Sequence, residues 1–297
     1  MRVAILPSLG IGDALLMMIA AHHLHRLGHR VTLIHPQFSE LASWFPFCSF
    51  IASSRELCDL SSFDFIIAEN DNAPILKTWI SLYRDALSIF YPTYSLKKHG
   101  PLAPTDRAFD PHLPMAINIG RAIESLFPSG MISYDNGITP PPSLTWQKHM
   151  RRILIHPTSR EPYKNWLPCQ FVKLANKLTQ RGFDPHFCVA PKERSEWLNK
   201  GFPVPELPSL SDLASYVHES YALIGNDSLA GHLASNLKLP TLTIANGAER
   251  MRLWRPGWKK GVLVLPPQWL PWKPHQWQKT IPVRKVLRAF DKKLLSL

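Results

Sequence analysis

Short apolar runs, each followed by a polar or glycine-containing loop and a longer apolar-periodic stretch, set the pattern of this 297-residue chain. Residues 2–7 form the first apolar run, and residues 14–27 carry apolar side chains at helical spacing after an intervening loop. Gly28 is a natural end for that helix, and residues 30–35 resemble a second strand. The pattern predicts a strand–loop–helix–strand unit of the kind found in parallel α/β folds.

The same alternation returns in the second half of the chain, after a proline-rich linker at residues 139–147. Further strands are predicted at residues 64–68, 152–156, 187–190, 222–225 and 241–244, and further helices at residues 115–127 and 168–181. We therefore expect two α/β domains, residues 1–145 and 146–297, each with a parallel sheet covered on both faces. Ligands of such folds bind at the carboxyl ends of the strands, so the cleft between the domains is the expected site.

Charge divides the chain unevenly. The formal net charge is +12, and by residue type the first 146 residues carry −2 and the remainder +14. A basic half attracts anions such as nucleotide phosphates, nucleic acid or an acidic membrane surface. The net charge alone does not choose among these partners, nor does it exclude a solvated basic surface that binds none of them. The four cysteines show no CxxC or zinc spacing, which fits a reducing cytosol, and no uninterrupted apolar run is long enough to predict a membrane span.

The loop after the first predicted strand contains Gly10, Gly12 and Asp13. Its glycines permit a tight turn and close approach of a ligand. Asp13 is placed either to act as a general base facing the cleft or to cap the following helix. Leu15 stands where a dinucleotide-binding fingerprint would have its third glycine, so that motif is only weakly supported.

Two loops of the second half also join a strand to a helix. The first holds Thr158, Ser159 and Lys164, and suits either an anion site or an exposed basic loop. The second holds Asp227 and Ser228, with Gly231 and His232 following at the start of a helix. Its small residues allow backbone N–H groups to meet a phosphate. For His232 both a packed position and a catalytic one are open.

Residues 250–279 combine aromatic and basic side chains. The tryptophans are Trp254, Trp258, Trp269, Trp272 and Trp277, and the cations interleaved with them are Arg250, Arg252, Arg255, Lys259, Lys260, Lys273 and Lys279. This composition suits a membrane interface, sugar stacking or single-stranded nucleic acid, or tryptophans that pack a proline-rich region. No metal site is predicted, and the acidic residues 69–71 are interpreted as a turn.

Taken together, the three loops resemble glycosyltransferase family 9, the lipopolysaccharide heptosyltransferases. The resemblance is carried by LPSLGIGDALLMM, IHPTSREPYKNW and IGNDSLAGHLASNLKLPTLTI, and extends over essentially the whole chain. It implies a GT-B fold, in which two Rossmann-like domains face each other across a cleft and the C-terminal helix, residues 282–297, crosses back to the first domain.

The resemblance also implies roles for individual residues. Asp13 matches the catalytic base that deprotonates the acceptor hydroxyl, and Lys164 matches the residue that neutralises the diphosphate of the donor. The matching donor-binding positions are Gly12, Thr158, Ser159, Glu193, Asp227, Ser228, Gly231 and His232. The implied reaction is inverting and metal-independent, with ADP-heptose as the sugar donor and no further cofactor.

The acceptor implied is a lipid-linked saccharide of the lipopolysaccharide core. Lys97, Lys98 and Arg107 are candidates to hold its anionic groups, and residues 250–279 could rest on the inner membrane. The expected location is therefore the cytoplasm, peripheral to the inner face of the plasma membrane.

Two departures from the family pattern leave alternatives open. Leu229 stands at a usual glycine and would crowd a close backbone–phosphate approach. Residues 245–249 replace the usual glycine-proline-threonine turn. The alternatives are a transferase with another nucleotide-sugar donor, a sugar-nucleotide epimerase of the same fold, and a non-catalytic sugar-nucleotide binder. A nucleic-acid-binding module is disfavoured, because it would leave the three loops unexplained.

Overall fold

The computed structural model describes residues 1–259, 261–267 and 276–294. The chain divides into two compact units, Met1–Thr139 and Pro140–Leu297. The division falls within the proline-rich linker, six residues before the boundary placed from the sequence. Each unit is described below by itself.

The first unit is a six-stranded parallel sheet with connecting helices. In chain order its elements are β1 (Arg2–Leu6), α1 (Ile11–Arg26), β2 (Arg30–Ile34), β3 (Ser49–Ile51), β4 (Phe65–Glu69), α2 (Ile75–Tyr83), β5 (Leu87–Tyr91), α3 (Leu96–His99), β6 (Arg107–Ala108) and α4 (Met115–Leu126). The strand order is β3-β2-β1-β4-β5-β6. The strands and helices predicted for this half are confirmed, with small shifts at their ends.

Helix α1 lies in the core of the first unit, where every residue from Ala14 to Ala21 is buried. This burial on all sides explains why its sequence shows no clean polar face. Gly28 follows the helix with φ of +82°, a left-handed conformation that a glycine adopts without strain. On α1, Nε2 of His23 lies 2.7 Å from the carbonyl oxygen of Phe127, which ties the helix to the end of α4.

The second unit is a five-stranded parallel sheet. Its elements are β7 (His149–His156), α5 (Pro168–Thr179), β8 (Asp184–Phe187), α6 (Arg194–Trp197), α7 (Leu210–His218), β9 (Ser220–Asn226), α8 (Leu229–Asn236), β10 (Thr241–Ile244), α9 (Ala248–Trp254), β11 (Val262–Val264), α10 (Trp277–Thr280) and α11 (Val283–Ala289), which continues as a π-helical stretch, Phe290–Leu294. The strand order is β11-β10-β9-β7-β8. Of these elements, α6, α7, α9, α10 and β11 were not predicted from the sequence, and the strand predicted at residues 187–190 lies three residues too late for β8.

Both sheets have a point where the chain changes its direction of winding. It lies between β1 and β4 in the first sheet and between β7 and β9 in the second. Loops at the carboxyl ends of such strand pairs diverge and leave room for a ligand. All three candidate loops lie at these points, because they follow β1, β7 and β9.

The expected return of the C-terminal helix to the first domain stays a prediction. In the described part of this segment, Val286, Leu287 and Phe290 are buried in the core of the second unit, together with Phe171 and Leu178 of α5. The apolar face of the segment thus completes the core of its own unit. Within the described residues, no helix is both long and apolar enough to cross a bilayer.

We expect Phe290→Ala to lower the free energy of unfolding of the second unit by about 3–5 kcal/mol, because a fully buried ring is lost and a cavity remains. Urea denaturation followed by tryptophan fluorescence measures the change. Arg288→Ala, at an exposed position of the same segment, is the control and should stay within about 0.5 kcal/mol of the wild type. Equal, small effects of both substitutions would contradict a structural role of this segment in the second unit.

Candidate active site

The first candidate loop places the carboxylate of Asp13 over the start of α1. Asp13 lies in the first turn of the helix, is half-buried, and accepts a hydrogen bond from the hydroxyl of Ser8. A side chain at Gly10 would push this carboxylate out of place, since a Cβ there would collide with Oδ2. The glycine is therefore required by the position of the acid.

Glu69, at the end of the neighbouring strand β4, supports the same loop. Its side chain is only 2% exposed, and its Oε2 accepts the backbone N–H of Ser8 at 2.9 Å. The interpretation of this acidic stretch as a turn is wrong for Glu69, which is the last residue of the strand. The sequence did contain a signal: a carboxylate that ends a buried strand lies at the ligand-binding edge of a parallel sheet.

Of the acceptor candidates, two lie exposed on one short helix. Lys97 and Lys98 belong to α3, which follows β5. Helix α3 is held by His99, whose Nδ1 accepts the N–H of Ser95 at 3.0 Å and whose Nε2 lies 3.1 Å from Oδ1 of Asn72. Asn72 is in the loop after β4, so α3 is fixed at the carboxyl edge of the sheet.

Arg107 differs from the two lysines because its guanidinium is engaged within the unit. Nε donates to Ser125 Oγ at 2.7 Å, and Nη1 donates to the carbonyl oxygens of Pro104 and Asp106, each at 2.7 Å. These bonds tie the short strand β6 to α4. Arg107 thus has a framework role, and its contact with an acceptor stays a prediction.

In the second unit, Glu193 joins the loops that follow β7 and β8. Its Oε2 accepts the Thr158 hydroxyl at 2.9 Å and the backbone N–H of Ala190 at 3.1 Å. A recess of about 250 Å³ lies beside it at the carboxyl end of β8. The recess is lined by residues that include Val189, Pro191, Arg194 and Leu207.

Asn226, the last residue of β9, pins both ends of the loop that carries Lys164. Its side chain is 1% exposed. Oδ1 accepts the N–H of Trp166 at 3.0 Å, and Nδ2 donates to the carbonyl of Pro157 at 2.6 Å. Within the loop, Ser159 Oγ donates to Asn165 Oδ1 at 2.6 Å. Asn226 is part of the motif after β9, but the sequence did not indicate its role, because the residues it bonds lie some 60 residues earlier.

Lys164 lies in this loop with its side chain only 11% exposed. Its Nζ forms an ion pair with the carboxylate of Glu161, to which the Tyr163 hydroxyl also donates, at 2.8 Å. The hydrogen bond from Lys164 is the largest cause that lowers the pKa of Glu161, followed by the one from Tyr163. The amine is thus held in a fixed place by a charged partner.

Two buried tryptophans connect this loop to the C-terminal segment. Trp277 donates its indole N–H to the carbonyl of Tyr163 at 2.9 Å, and Trp166 donates to the carbonyl of Ile281 at 3.0 Å. Both rings are fully buried. Trp277 therefore belongs to the core of the second unit. The expectation that residues 250–279 contact a membrane is wrong for this side chain.

The rest of that aromatic cluster is described only in part. Trp269, Trp272, Lys260 and Lys273 lie outside the described residues. Trp254 is half-buried with the Arg250 guanidinium 5.7 Å from its ring centroid, and Trp258 meets His232 edge-on at 6.4 Å. The described tryptophans are thus packed against neighbouring side chains.

The loop after β9 brings the third group of candidates to the same edge of the second sheet. Asp227 Oδ2 accepts a hydrogen bond from Arg250 Nε at 3.1 Å. Ser228 precedes α8, and its Oγ is buried without a hydrogen-bond partner among the described residues. His232 is 5% exposed in the first turn, while Leu229 is half-buried at the first helical position.

No group of three or more metal-ligating side chains occurs within the part of the chain that the structure describes. The site is instead made of single carboxylates, one lysine, hydroxyls and a helix N-terminus. In the second unit these groups suit a phosphorylated ligand, since backbone N–H groups and cations both favour anions. In the first unit they suit proton transfer to a carboxylate.

We compared the chain with known proteins. The model of glycosyltransferase family 9 (heptosyltransferase) matches residues 136–269. Lipopolysaccharide heptosyltransferase 3 of Escherichia coli K12 is 24% identical over 121 residues, which cover 37% of this chain and about a third (35%) of that relative's length.

Two solved structures are similar over the whole chain. A family 9 glycosyl transferase from Veillonella parvula has a TM-score of 0.75 at 14% identity, over 100% of this chain and 98% of that one. E. coli heptosyltransferase WaaC with ADP-2-deoxy-2-fluoro heptose has a TM-score of 0.72 at 15% identity, over 98% and 99% of the two chains. These likenesses establish the fold.

The two doubly wound units have the topology of the GT-B fold. The chain is similar to glycosyltransferase family 9 over most of its second unit.

We expect Trp277→Phe to weaken nucleotide binding several-fold, because it leaves the Tyr163 carbonyl without its donor next to Lys164. Calorimetric titration with ADP measures the affinity. Trp197→Phe is the matched control: it shortens a buried tryptophan of the same core for which no indole hydrogen bond is described. If both variants bind ADP as the wild type does, Trp277 does not position the loop.

Proposed function

We propose that the protein is an inverting, metal-independent glycosyltransferase that moves a sugar from a nucleotide-sugar donor to a lipopolysaccharide-core acceptor. ADP-heptose is the donor we propose, by analogy with the relatives whose names and bound ligands specify heptose transfer and ADP-heptose. The single observation that carries the proposal is the placement of Asp13 and Lys164 on loops at the two switch points. The first unit would hold the acceptor and the second the donor.

Asp13 is the proposed general base. A carboxylate can take the proton of the acceptor hydroxyl as that oxygen attacks the anomeric carbon of the donor, and the glycosidic bond to the diphosphate breaks. The hydroxyl of Ser8 and the buried carboxylate of Glu69 hold the loop that carries Asp13. Attack from the face opposite the leaving group inverts the anomeric centre.

Lys164 is proposed to stabilise the diphosphate that leaves. Negative charge grows on the leaving oxygen in the transition state, and a fixed ammonium beside it lowers the barrier without a metal ion. The N-terminus of α8 and the Ser228 hydroxyl, buried and unpaired among the described residues, are suited to bind phosphate oxygens. Of the other proposed donor contacts, Thr158, Ser159 and Asp227 lie in the loops after β7 and β9, and Gly231 and His232 lie in the first turn of α8.

Glu193 and the recess beside it are proposed to hold the nucleoside. The recess is mostly apolar in its lining and lies at the carboxyl end of β8, where a base could be buried. The Glu193 carboxylate lies next to it and would accept hydrogen bonds from ribose hydroxyls. This arrangement places the base away from the loop that holds the diphosphate.

Lys97 and Lys98 are the proposed contacts for anionic groups of a lipid-linked acceptor. Both are exposed on α3 at the carboxyl edge of the first sheet. Such an acceptor requires work at the inner face of the plasma membrane, so we propose a cytoplasmic protein with peripheral membrane contact. Basic side chains near an anionic surface contribute about 1 kcal/mol each to such contact.

Leu229 favours a second candidate, a sugar-nucleotide binder without transferase activity. Its half-buried side chain at the first position of α8 occupies space close to where a phosphate would approach the helix. In such a protein the donor would bind, and the charge of Asp13 would not matter to any turnover.

We expect ADP to bind in preference to GDP and UDP without added metal, and Lys164→Ala to weaken this binding by about tenfold or more. Calorimetric titration in the presence of a chelator measures both effects. Lys173→Ala removes the same charge from an α5 residue and should leave the affinity unchanged. Preference for another nucleotide would contradict ADP-heptose as the donor. Absence of any nucleotide binding would overturn the proposed function.

We expect Asp13→Asn to lower the transfer rate by about 10²–10⁴-fold while ADP binding stays intact, because the amide cannot take the acceptor proton. The assay follows sugar transfer from ADP-heptose to lipopolysaccharide-core oligosaccharides. Asp59→Asn, an exposed carboxylate of the same unit, should retain full activity. Equal rates for Asp13→Asn and the wild type would exclude the general-base role, and intact donor binding without any transfer would favour the non-catalytic binder.

A further inference from the structure

The ammonium of Lys164 forms an ion pair within its own loop. Its partner is Glu161, three residues earlier in the same loop. The lysine side chain is 11% exposed and the glutamate side chain 42%, so the pair opens to solvent on the carboxylate side. An anion that approaches Lys164 therefore meets the glutamate first.

Glu161 is held in this position by more than one contact. The Tyr163 hydroxyl donates to the same carboxylate oxygen, Oε2, at 2.8 Å. The hydrogen bonds from Lys164 and Tyr163 keep the pKa of Glu161 below its usual value, so the carboxylate is charged at neutral pH. The charges of Glu161 and Lys164 offset each other within the loop.

A diphosphate and the carboxylate of Glu161 are both oxyanions that would bind the ammonium of Lys164. Full engagement of Lys164 by a diphosphate requires its exchange for Glu161, because otherwise two like charges would lie side by side. Arg250 offers the displaced carboxylate a second cation. The guanidinium of Arg250 is 42% exposed and pairs with Asp227. Its positive charge also lowers the pKa of Glu161, so it attracts that carboxylate.

We propose that Glu161 competes with the diphosphate of the donor for Lys164: the carboxylate pairs with the ammonium and is displaced when the donor binds. This inference rests on the proposed role of Lys164 in diphosphate binding. Glu161 then sets the affinity for both the donor and the released nucleoside diphosphate. Weaker binding of the product speeds its release, a step that limits turnover in many enzymes.

The test is calorimetric titration of ADP into wild type and Glu161→Gln at low ionic strength without metal. Glutamine keeps the size and hydrogen-bonding capacity of the side chain and removes its charge. We expect the dissociation constant of Glu161→Gln to fall by about two- to fivefold, the range measured for partly exposed ion pairs. Tyr163→Phe, which removes one hydrogen bond that holds the carboxylate, should shift the constant in the same direction by a smaller factor.

Glu219→Gln is the matched control. The carboxylate of Glu219 pairs with the ammonium of Lys148 at 3.9 Å. Glu219 directly precedes β9, so this pair lies at the amino ends of the strands, opposite the candidate loops. The substitution therefore removes the same charge from a comparable ion pair. Its ADP affinity should equal that of the wild type. The gain in Glu161→Gln should also shrink between about 50 mM and about 500 mM NaCl, because salt screens a partly exposed pair.

Unchanged or weaker ADP binding by a folded Glu161→Gln would overturn the inference and leave the proposed function intact, provided that wild type binds and Lys164→Ala does not. An equal gain in Glu219→Gln would assign the effect to net charge and likewise overturn it. Failure of wild type itself to bind any nucleotide would overturn the proposed function.

Discussion

The candidate site depends on one constraint that both units share: the last residue of an inner strand is buried and holds the loop of the neighbouring strand. In the second unit Asn226 ends β9 and accepts the N–H of Trp166. In the first unit Glu69 ends β4 and accepts the N–H of Ser8. Each of these strands lies directly across the switch point from the strand whose loop it holds. A buried acceptor in this position must be satisfied, so the loop backbone is bound to it.

The two acceptors differ in charge. Glu69 places a buried carboxylate behind the loop that carries Asp13. Asn226 is neutral and can both accept and donate, so it fixes two points of the loop that carries Lys164. The net charges of the two halves, −2 and +14, follow the same division.

Much of the fold could be predicted from the sequence, because buried parallel strands are continuous apolar runs and their loops carry glycine, hydroxyl and charged residues. The predicted strands around Ile5, Ile67 and Leu154 are confirmed, as is the helix after Gly10. The roles of Asp13 and Lys164 stay predictions that the assays above test. What the sequence could not show are contacts between distant segments, since nothing local marks them.

Two expectations differ from the structure for that reason. Glu69 was interpreted as part of a turn, because its partner Ser8 lies 61 residues away. Trp277 was grouped with surface aromatics, although it bonds Tyr163 across 114 residues. For Arg107, the hydrogen bonds of its guanidinium to Ser125 and to the chain around it were equally invisible in the sequence, and its acceptor role stays a prediction. In the first two cases tertiary hydrogen bonding decides a question that composition leaves open.

The paired indoles of Trp166 and Trp277 have a consequence for the order of events during synthesis. The loop of Lys164 is completed only by hydrogen bonds to residues 114 and 115 positions further along the chain. At about 5–20 residues per second, a ribosome needs roughly 6–23 seconds to supply them. During that interval β7 and β8 can already pair, while the loop lacks these two anchors. A nascent chain therefore acquires its strand framework before the loop of Lys164 is complete.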